Sequence, residues 1–407
     1  MRRTGLAACL MLFVFLGARA ARAGVVDAPG ADLEISLITY GPGRIYWERF
    51  GHDALQVRDR LSGQSVDFNY GVFDFDERGF FWNFARGYMH YMIDVERSDL
   101  DEADYVASGR SVVRQRLALT PAQAVSLRAF LLWNLRPENA IYNYDYLTDN
   151  CTTRVRDALD KVLGGALRRS LAARPGGMTY RQQIDRLMSP EPGLMLAMDM
   201  GLGPAADRPL SAWQESFLPM VLEQDLRGVK VSDGHGGRTP LVSAEQRLAV
   251  SRIGAPPARP PALFWPLGLV GTGFAILLLA TRRRLPRVHG VLAIAYVAAA
   301  GFVGLVLAAL WGLTQHHAAW ENANLLVFNP LAFWLPAAVW RRARGGAEAS
   351  VGRGARRVIG LQLVTAAIAV LLHGLPLTVQ QNQPWLALAI PIWLAIALDL
   401  RPSPPHS

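Results

Sequence analysis

The sequence predicts an α+β domain outside the cell, joined to an all-α membrane domain of about five transmembrane helices. Three observations lead there. Residues 24–252 mix polar and apolar positions as an aqueous domain does. Residues 263–400 are dominated by apolar runs, and the Pro-rich stretch GAPPARPPA (Gly254–Ala262) lies between them as a stiff, extended linker over 253–262. Finally, the 407-residue chain is 51% hydrophobic, too apolar for an ordinary soluble protein.

The N-terminus, MRRTGLAACLMLFVFLGARAARAG, places Arg2 and Arg3 before a short apolar core and ends on Ala21-x-Ala23. That is the pattern of a secretory signal peptide over 1–23, with an uncleaved anchor as the alternative. Cys9 sits too early in the apolar core to be a lipoprotein cleavage site. With that segment removed, Cys151 is the single remaining cysteine and no internal disulfide can form. A lone thiol in an oxidising compartment bonds a partner, reacts, or is buried and inert.

Inside the exported domain, DLEISLITYG reads as a strand. HDALQVRD alternates apolar and polar residues, and SVDFNYGVFDF follows after a Ser-Gly turn, which together predict a hairpin. TPAQAVSLRAFLLWNL offers Thr120 as an N-cap and Pro121 in the first turn of an amphipathic helix. After Cys151, the residues Val155, Ala158, Leu159, Val162 and Leu163 recur with helical period and define one apolar face. Asp149 or Asn150 can cap that helix, which places Cys151 in its first turn.

The apolar runs Leu263–Ala280, Val291–Leu313, Leu325–Trp340 and Val358–Leu375 approach the roughly 20 residues that cross a bilayer. A fifth, Trp385–Leu398, is shorter and contains Pro391. With the first domain outside, Arg282, Arg283, Arg284 and Arg287 fall in the cytoplasm. So do Arg341, Arg342, Arg344, Arg353, Arg356 and Arg357, and residues 401–407 form a cytoplasmic tail. The outer turns TQHHAAWENAN and TVQQNQP carry no Lys or Arg, as the positive-inside rule requires. The net charge of +9 therefore belongs to membrane loops; without these arginines and those of the leader the remainder is acidic, which argues against nucleic acid as a partner. Glycines in GLVGTGF (Gly268–Phe274) fall within a span and read as helix packing.

The chemistry centres on Cys151. A thiol becomes a good nucleophile near neutral pH when a helix N-terminus or an imidazole stabilises its thiolate. Only His52, His90 and His235 lie in the exported domain. His235 sits in a glycine-rich turn and His90 among aromatic residues, whereas His52 begins a strand after a glycine, making it the candidate base. A third group should fix the imidazole tautomer. Asp67 and Asn69 share one face of the next strand, and either can do so. No H-E-x-x-H, paired-cysteine or nucleotide-binding glycine pattern occurs, so neither a metal nor another cofactor is expected.

The order His52, Asp67 or Asn69, then Asn150-Cys151 at a helix start resembles the circularly permuted papain-like thiol enzymes, such as the lecithin retinol acyltransferase group. WERFGHDAL, FNYGVFDFD, FARGYMHY, PENAIYNYDYLTDNCTTRVRD and ENANLLVFNPL, in that order, resemble the bacterial family of the lyso-form lipoprotein intramolecular transacylase (Lnb). That resemblance implies a circularly permuted papain-like periplasmic domain, anchored in the bacterial inner membrane. It further implies transfer of an acyl chain from a diacylglyceryl lipid or lipoprotein, through a Cys151 thioester, to the lipoprotein N-terminal amine. The expected partners are that lipid or lipoprotein and the bilayer itself.

Candidate substrate contacts are Asn150, Arg86, and His316, His317, Asn322 and Asn324 in the outer turn between the second and third spans. Polar groups there can bind a lipid headgroup or dock the exported domain. Two competing readings are an extracytoplasmic cysteine peptidase or amidase, and a non-catalytic membrane-anchored binding protein. Five spans favour the lipid reading, because a cell-wall amidase needs only a tether.

Overall fold

A computed structural model describes residues 26–234, 236–345, 351–375 and 380–401. The expected signal peptide with Cys9, His235, and the tail beyond Arg401 lie outside the described residues.

Strands β1 (Leu33–Tyr40), β2 (His52–Asp59), β3 (Ser65–Val72), β4 (His90–Arg97), β5 (Val112–Leu117) and β6 (Ile141–Asn143) join β9 (Val242–Ala249) in one sheet. Its order is β6-β4-β3-β2-β1-β5-β9, and every neighbouring pair is antiparallel. β7 (Lys230–Ser232) and β8 (Arg238–Pro240) form a separate ribbon. The β2–β3 hairpin arises where the Ser-Gly turn predicts it. β1 departs from simple alternation because both of its faces are covered by other elements.

On one face, Leu37, Leu55, Val57, Phe68 and Tyr70 pack against Leu127 and Leu131 of the Pro121–Asn134 helix and against Val155, Ala158 and Leu159 of the Cys151–Val162 helix. Burying a leucine of this kind stabilises the fold by about 1.5–3 kcal/mol. Thr120 caps the first of these helices in a reciprocal pair with Gln123. The opposite face is covered near Ile38, Tyr40 and Ala54 by Tyr105, from a helix at Ser98–Ala107.

Three described helices are long and apolar enough to cross a membrane: Phe264–Arg284, Pro286–Leu313 and Arg353–Leu372. The expected straight span Leu325–Trp340 is instead bent. Short turns through His317–Leu326 and a second piece, Pro330–Gly345, meet at 46° and make a fourth crossing only if counted together. The break follows from Pro330 and Pro336, which cannot donate to a helix ladder, and from Asn329, whose side chain accepts from Leu331 N–H. The last helix, Gln383–Asp399, has 17 residues and keeps Pro391 inside it. It lies tight against Phe264–Arg284: a Cβ on Gly271 would collide with the Leu388 carbonyl oxygen.

The two parts are fastened by buried polar groups. Asn322 Nδ2 donates to the carbonyls of Met200 and Gly201 at 2.9 and 3.0 Å, and Asn324 Nδ2 donates to Met200 O at 3.0 Å. Gln380 Nε2 reaches Leu202 O at 2.9 Å. Arg181 binds Asp199 and Asp207, both at 2.7 Å, and those carboxylates in turn accept from Trp385 Nε1 and Gln381 N–H of the membrane part. An unmet buried carbonyl costs about 1–3 kcal/mol, so this set fixes how the domain sits over the helices.

Candidate active site

Asn150 caps the Cys151 helix: its Oδ1 accepts from Thr153 N–H at 2.9 Å, and Thr153 Oγ1 accepts from Asn150 N–H at 2.7 Å. Its Nδ2 donates to the carbonyls of Tyr146 and Phe217. The buried amide is thereby used up in holding the loop and the helix start. Asp149, the other cap candidate, pairs with Arg154.

Cys151 lies where the sheet opens. The β2–β3 ladder stops at the Ala54–Asn69 pair, leaving His52 and Asp53 with β1 on one side and no β3 partner on the other. The β3–β4 register then shifts between Tyr70 and Val72, around Gly71 at φ +89°. A Cβ on Gly71 would stand 3.3 Å from Cys151 Cβ. Glycine is needed there both for the left-handed backbone and for the close approach. Burial pushes the Cys151 thiol up. The Thr152 hydroxyl and the backbone N–H groups of Asp53, Thr152 and Cys151 pull the other way by favouring the thiolate.

His52 Nε2 lies 2.9 Å from Asn69 Oδ1, and Asn69 Nδ2 donates to Asp101 Oδ2 at 3.1 Å. A carboxylate only accepts, so the Asn69 amide nitrogen faces Asp101 and its oxygen faces the ring. Nε2 therefore carries the hydrogen, and Nδ1 of the neutral ring keeps a free lone pair. Burial lowers the His52 pKa; the Asn69 bond and the Asp101 charge oppose that, while Arg110 adds to it. Tyr105 lies parallel to His52, with ring centres 6.0 Å apart, and stacks on Tyr40 at 3.6 Å. No hydrogen bond joins the Cys151 sulfur to His52; among the described residues, the sulfur's side-chain partner within bonding range is Thr152 Oγ1 at 3.8 Å. Asp53 interacts electrostatically with both Cys151 and His52, which places all three at the same opening.

Asp67 does not orient His52. It accepts from Tyr40 OH, Gln56 Nε2 and Ser98 Oγ at 3.1, 3.0 and 2.5 Å, and burial raises its carboxyl to about 7. Two residues away on the same strand face, Asn69 meets the imidazole and Asp67 meets the start of the Ser98–Ala107 helix.

Sequence reasoning missed Asp101, Tyr105 and Asp53. Asp101 and Tyr105 stand four apart on the Ser98–Ala107 helix and so share one face, a spacing visible in SDLDEADY. Asp53 is fully buried and accepts from Thr39 Oγ1 at 2.7 Å; burial raises its carboxyl to about 8.

The outer-turn candidates divide. Asn322 and Asn324 are buried docking residues with their amides spent, Asn324 Oδ1 on Asn382 and Asn322 Oδ1 on Gln380. His316 bonds Phe84 O at 3.0 Å and stacks on Tyr146, and burial lowers its pKa. His317 packs edge-on against Trp320. Arg86 is exposed, with its guanidinium 5.0 Å from the Tyr88 ring centre. Neither Arg86 nor His317 is brought to the Cys151 opening by any hydrogen bond. Among the described residues, no group of three or more His, Cys, Asp or Glu could hold a metal ion.

A half-buried imidazole whose pKa is lowered and a half-buried thiol whose pKa is raised suit general-base deprotonation of sulfur better than a standing ion pair. Comparison with curated proteins and with solved structures returned no match. Two family descriptions do match, the Lnb N-terminal periplasmic domain over residues 26–185 and the Lnb transmembrane domain over residues 258–392. Together they span most of the chain, including Cys151, His52 and Asn69, and the protein belongs to the Lnb family, as a membrane protein with a periplasmic N-terminal domain.

Proposed function

We propose that the protein is a Cys/His acyltransferase of the bacterial inner membrane, made with a cleaved signal peptide, whose substrate is a diacylglyceryl lipid or lipoprotein. The observation that carries the reading is a thiol in the first turn of a capped helix, at the sheet opening where His52 is hydrogen-bonded to Asn69 and Asn69 to Asp101. The order of His strand before Cys helix supports a circularly permuted papain-like domain.

In the first half-reaction His52 Nδ1 takes the Cys151 proton and the sulfur attacks the ester carbonyl carbon. The tetrahedral oxyanion is met by backbone N–H groups at the helix start. The C–O bond breaks, the imidazolium protonates the departing alcohol, and an acyl-thioester remains on Cys151. In the second half, a free amine, taken as the lipoprotein N-terminus, attacks the thioester and yields its proton to His52. The new amide leaves and the thiol is restored. His316, His317 and Arg86, at the junction of domain and membrane, are the candidates for contact with the polar part of the substrate.

Mass analysis of the purified protein after exposure to diacylated lipoprotein should find an acyl group on Cys151, absent in Cys151→Ala. Lipoprotein N-termini from cells lacking the protein should lose the acylated amine. If Cys151→Ala and His52→Ala both transfer acyl chains at the full rate, the reading is wrong. Cleavage of cell-wall peptides without any action on lipids would support the cysteine hydrolase instead.

A further inference from the structure

The short helix Phe80–Arg86, FFWNFAR, exposes its largest side chains: Phe81 is 76% and Trp82 67% accessible. It contains no carboxylate. Side chains of this size gain free energy on leaving water, and none of the described residues covers them. The helix is nevertheless held in place. Arg86 O accepts from Gln315 N–H at 2.7 Å and Phe84 O is bonded by His316 Nε2. Gln315 and His316 come just after Thr314, the residue that ends the membrane-crossing helix Pro286–Leu313, whose last turn exposes Trp311 and Leu313. The aromatic helix is thereby fixed at the level where a spanning helix leaves the bilayer, the depth that aromatic side chains favour.

A path of rings runs inward from it. Phe80 stacks on Phe73 with centres 5.8 Å apart, Phe73 meets Tyr91 at 5.1 Å, and Tyr91 meets Tyr144 at 4.5 Å. Tyr144 and Cys151 are both within 3.6 Å of the point a Gly71 side chain would occupy. The exposed helix and the thiol are the two ends of one aromatic wall.

We propose that the Phe80–Arg86 helix is a second, non-spanning membrane contact that lies in the periplasmic-side leaflet with Phe81 and Trp82 among the acyl chains, and that the wall behind it leads a lipid chain to Cys151. The insertion stands independently of the chemistry; the delivery of an acyl chain rests on the acyltransferase reading.

The full chain, as Trp82→Cys in a Cys9→Ala, Cys151→Ser background, is labelled with an environment-sensitive fluorophore. It is reconstituted in phosphatidylethanolamine–phosphatidylglycerol vesicles. The label should be quenched by nitroxides on the upper acyl chain and protected from aqueous iodide. A label at Leu61→Cys, in the β2–β3 turn at the opposite end of β2 from the site, should show the reverse. Equal iodide quenching at both positions overturns the insertion, as does protection that appears only when two copies associate at high protein density.

The second arm uses Phe81→Ser/Trp82→Ser with Cys151 intact. Acyl transfer from a vesicle-embedded diacylglyceryl peptide should slow by about tenfold or more, while alkylation of Cys151 by iodoacetamide stays at the wild-type rate. Unchanged transfer overturns the delivery role. Absence of any transfer by the wild type counts against the acyltransferase reading and leaves the quenching result to decide the insertion.

Discussion

Asn69→Ala is the substitution that most directly tests the site. The Asn69 side chain makes two hydrogen bonds, to His52 Nε2 at 2.9 Å and to Asp101 Oδ2 at 3.1 Å. Asp101 keeps Tyr40 OH at 3.0 Å, so the lasting loss falls on the imidazole, which is left with a donor and no partner. Leaving a buried donor unmet costs about 1–3 kcal/mol. At about 1.4 kcal/mol per decade, acyl transfer should fall roughly 5- to 150-fold if the ring must be held in that tautomer to take the thiol proton. The bond to Asn69 raises the His52 pKa, so its loss lowers that pKa further and moves the acid limb of the rate profile to lower pH. The assay is the pH dependence of acyl transfer together with iodoacetamide alkylation of Cys151, on protein whose unfolding midpoint is checked first. A folded Asn69→Ala protein with the wild-type rate and profile would refute the argument that Asn69 orients the base.

Asp101→Asn removes a charge that raises the His52 pKa, so the acid limb should again shift downward, with a smaller loss of rate than in Asn69→Ala because the hydrogen-bonding shape is retained. Gly71→Ala should destabilise the domain by about 1–2 kcal/mol, the cost of a left-handed backbone for a residue with a Cβ, and should lower transfer by crowding Cys151; chemical denaturation and activity would show both. Asn322→Ala with Asn324→Ala strips partners from the Met200 and Gly201 carbonyls; it should lower the unfolding midpoint and slow transfer from membrane-embedded substrate, while leaving Cys151 alkylation intact. Asp53 has its folded pKa raised to about 8, above its ordinary value, so its contribution to stability is complete at acid pH and is lost as pH rises toward and through 8. Melting curves of Asp53→Asn should therefore show a weaker fall in stability between pH 5 and 8 than those of the wild type.

By itself the sequence determined what local patterns control. β1 to β3, the Pro121–Asn134 helix and the Cys151 helix are legible because apolar period, a Ser-Gly turn and capping side chains all act within a few residues. The thiol and His52 were legible for the same reason, as the residues at a helix start and a strand start. Tertiary structure decided what depends on packing between distant segments. Asp67 and Asn69 share one strand face, and only the position of the Ser98–Ala107 helix assigns Asn69 to the imidazole and Asp67 to Ser98. Asp101 and Tyr105 joined the site from a helix whose own sequence carries no catalytic pattern. β4, β5 and β9 went unread because their polar positions at the sheet's outer strands mask the apolar alternation. Asn322 and Asn324 were legible as important polar groups at a membrane mouth, but their use for docking rests on the carbonyls of Met200 and Gly201, more than 120 residues away in the chain. Local backbone preference is written residue by residue, whereas a buried hydrogen bond exists only where two remote segments are brought into register.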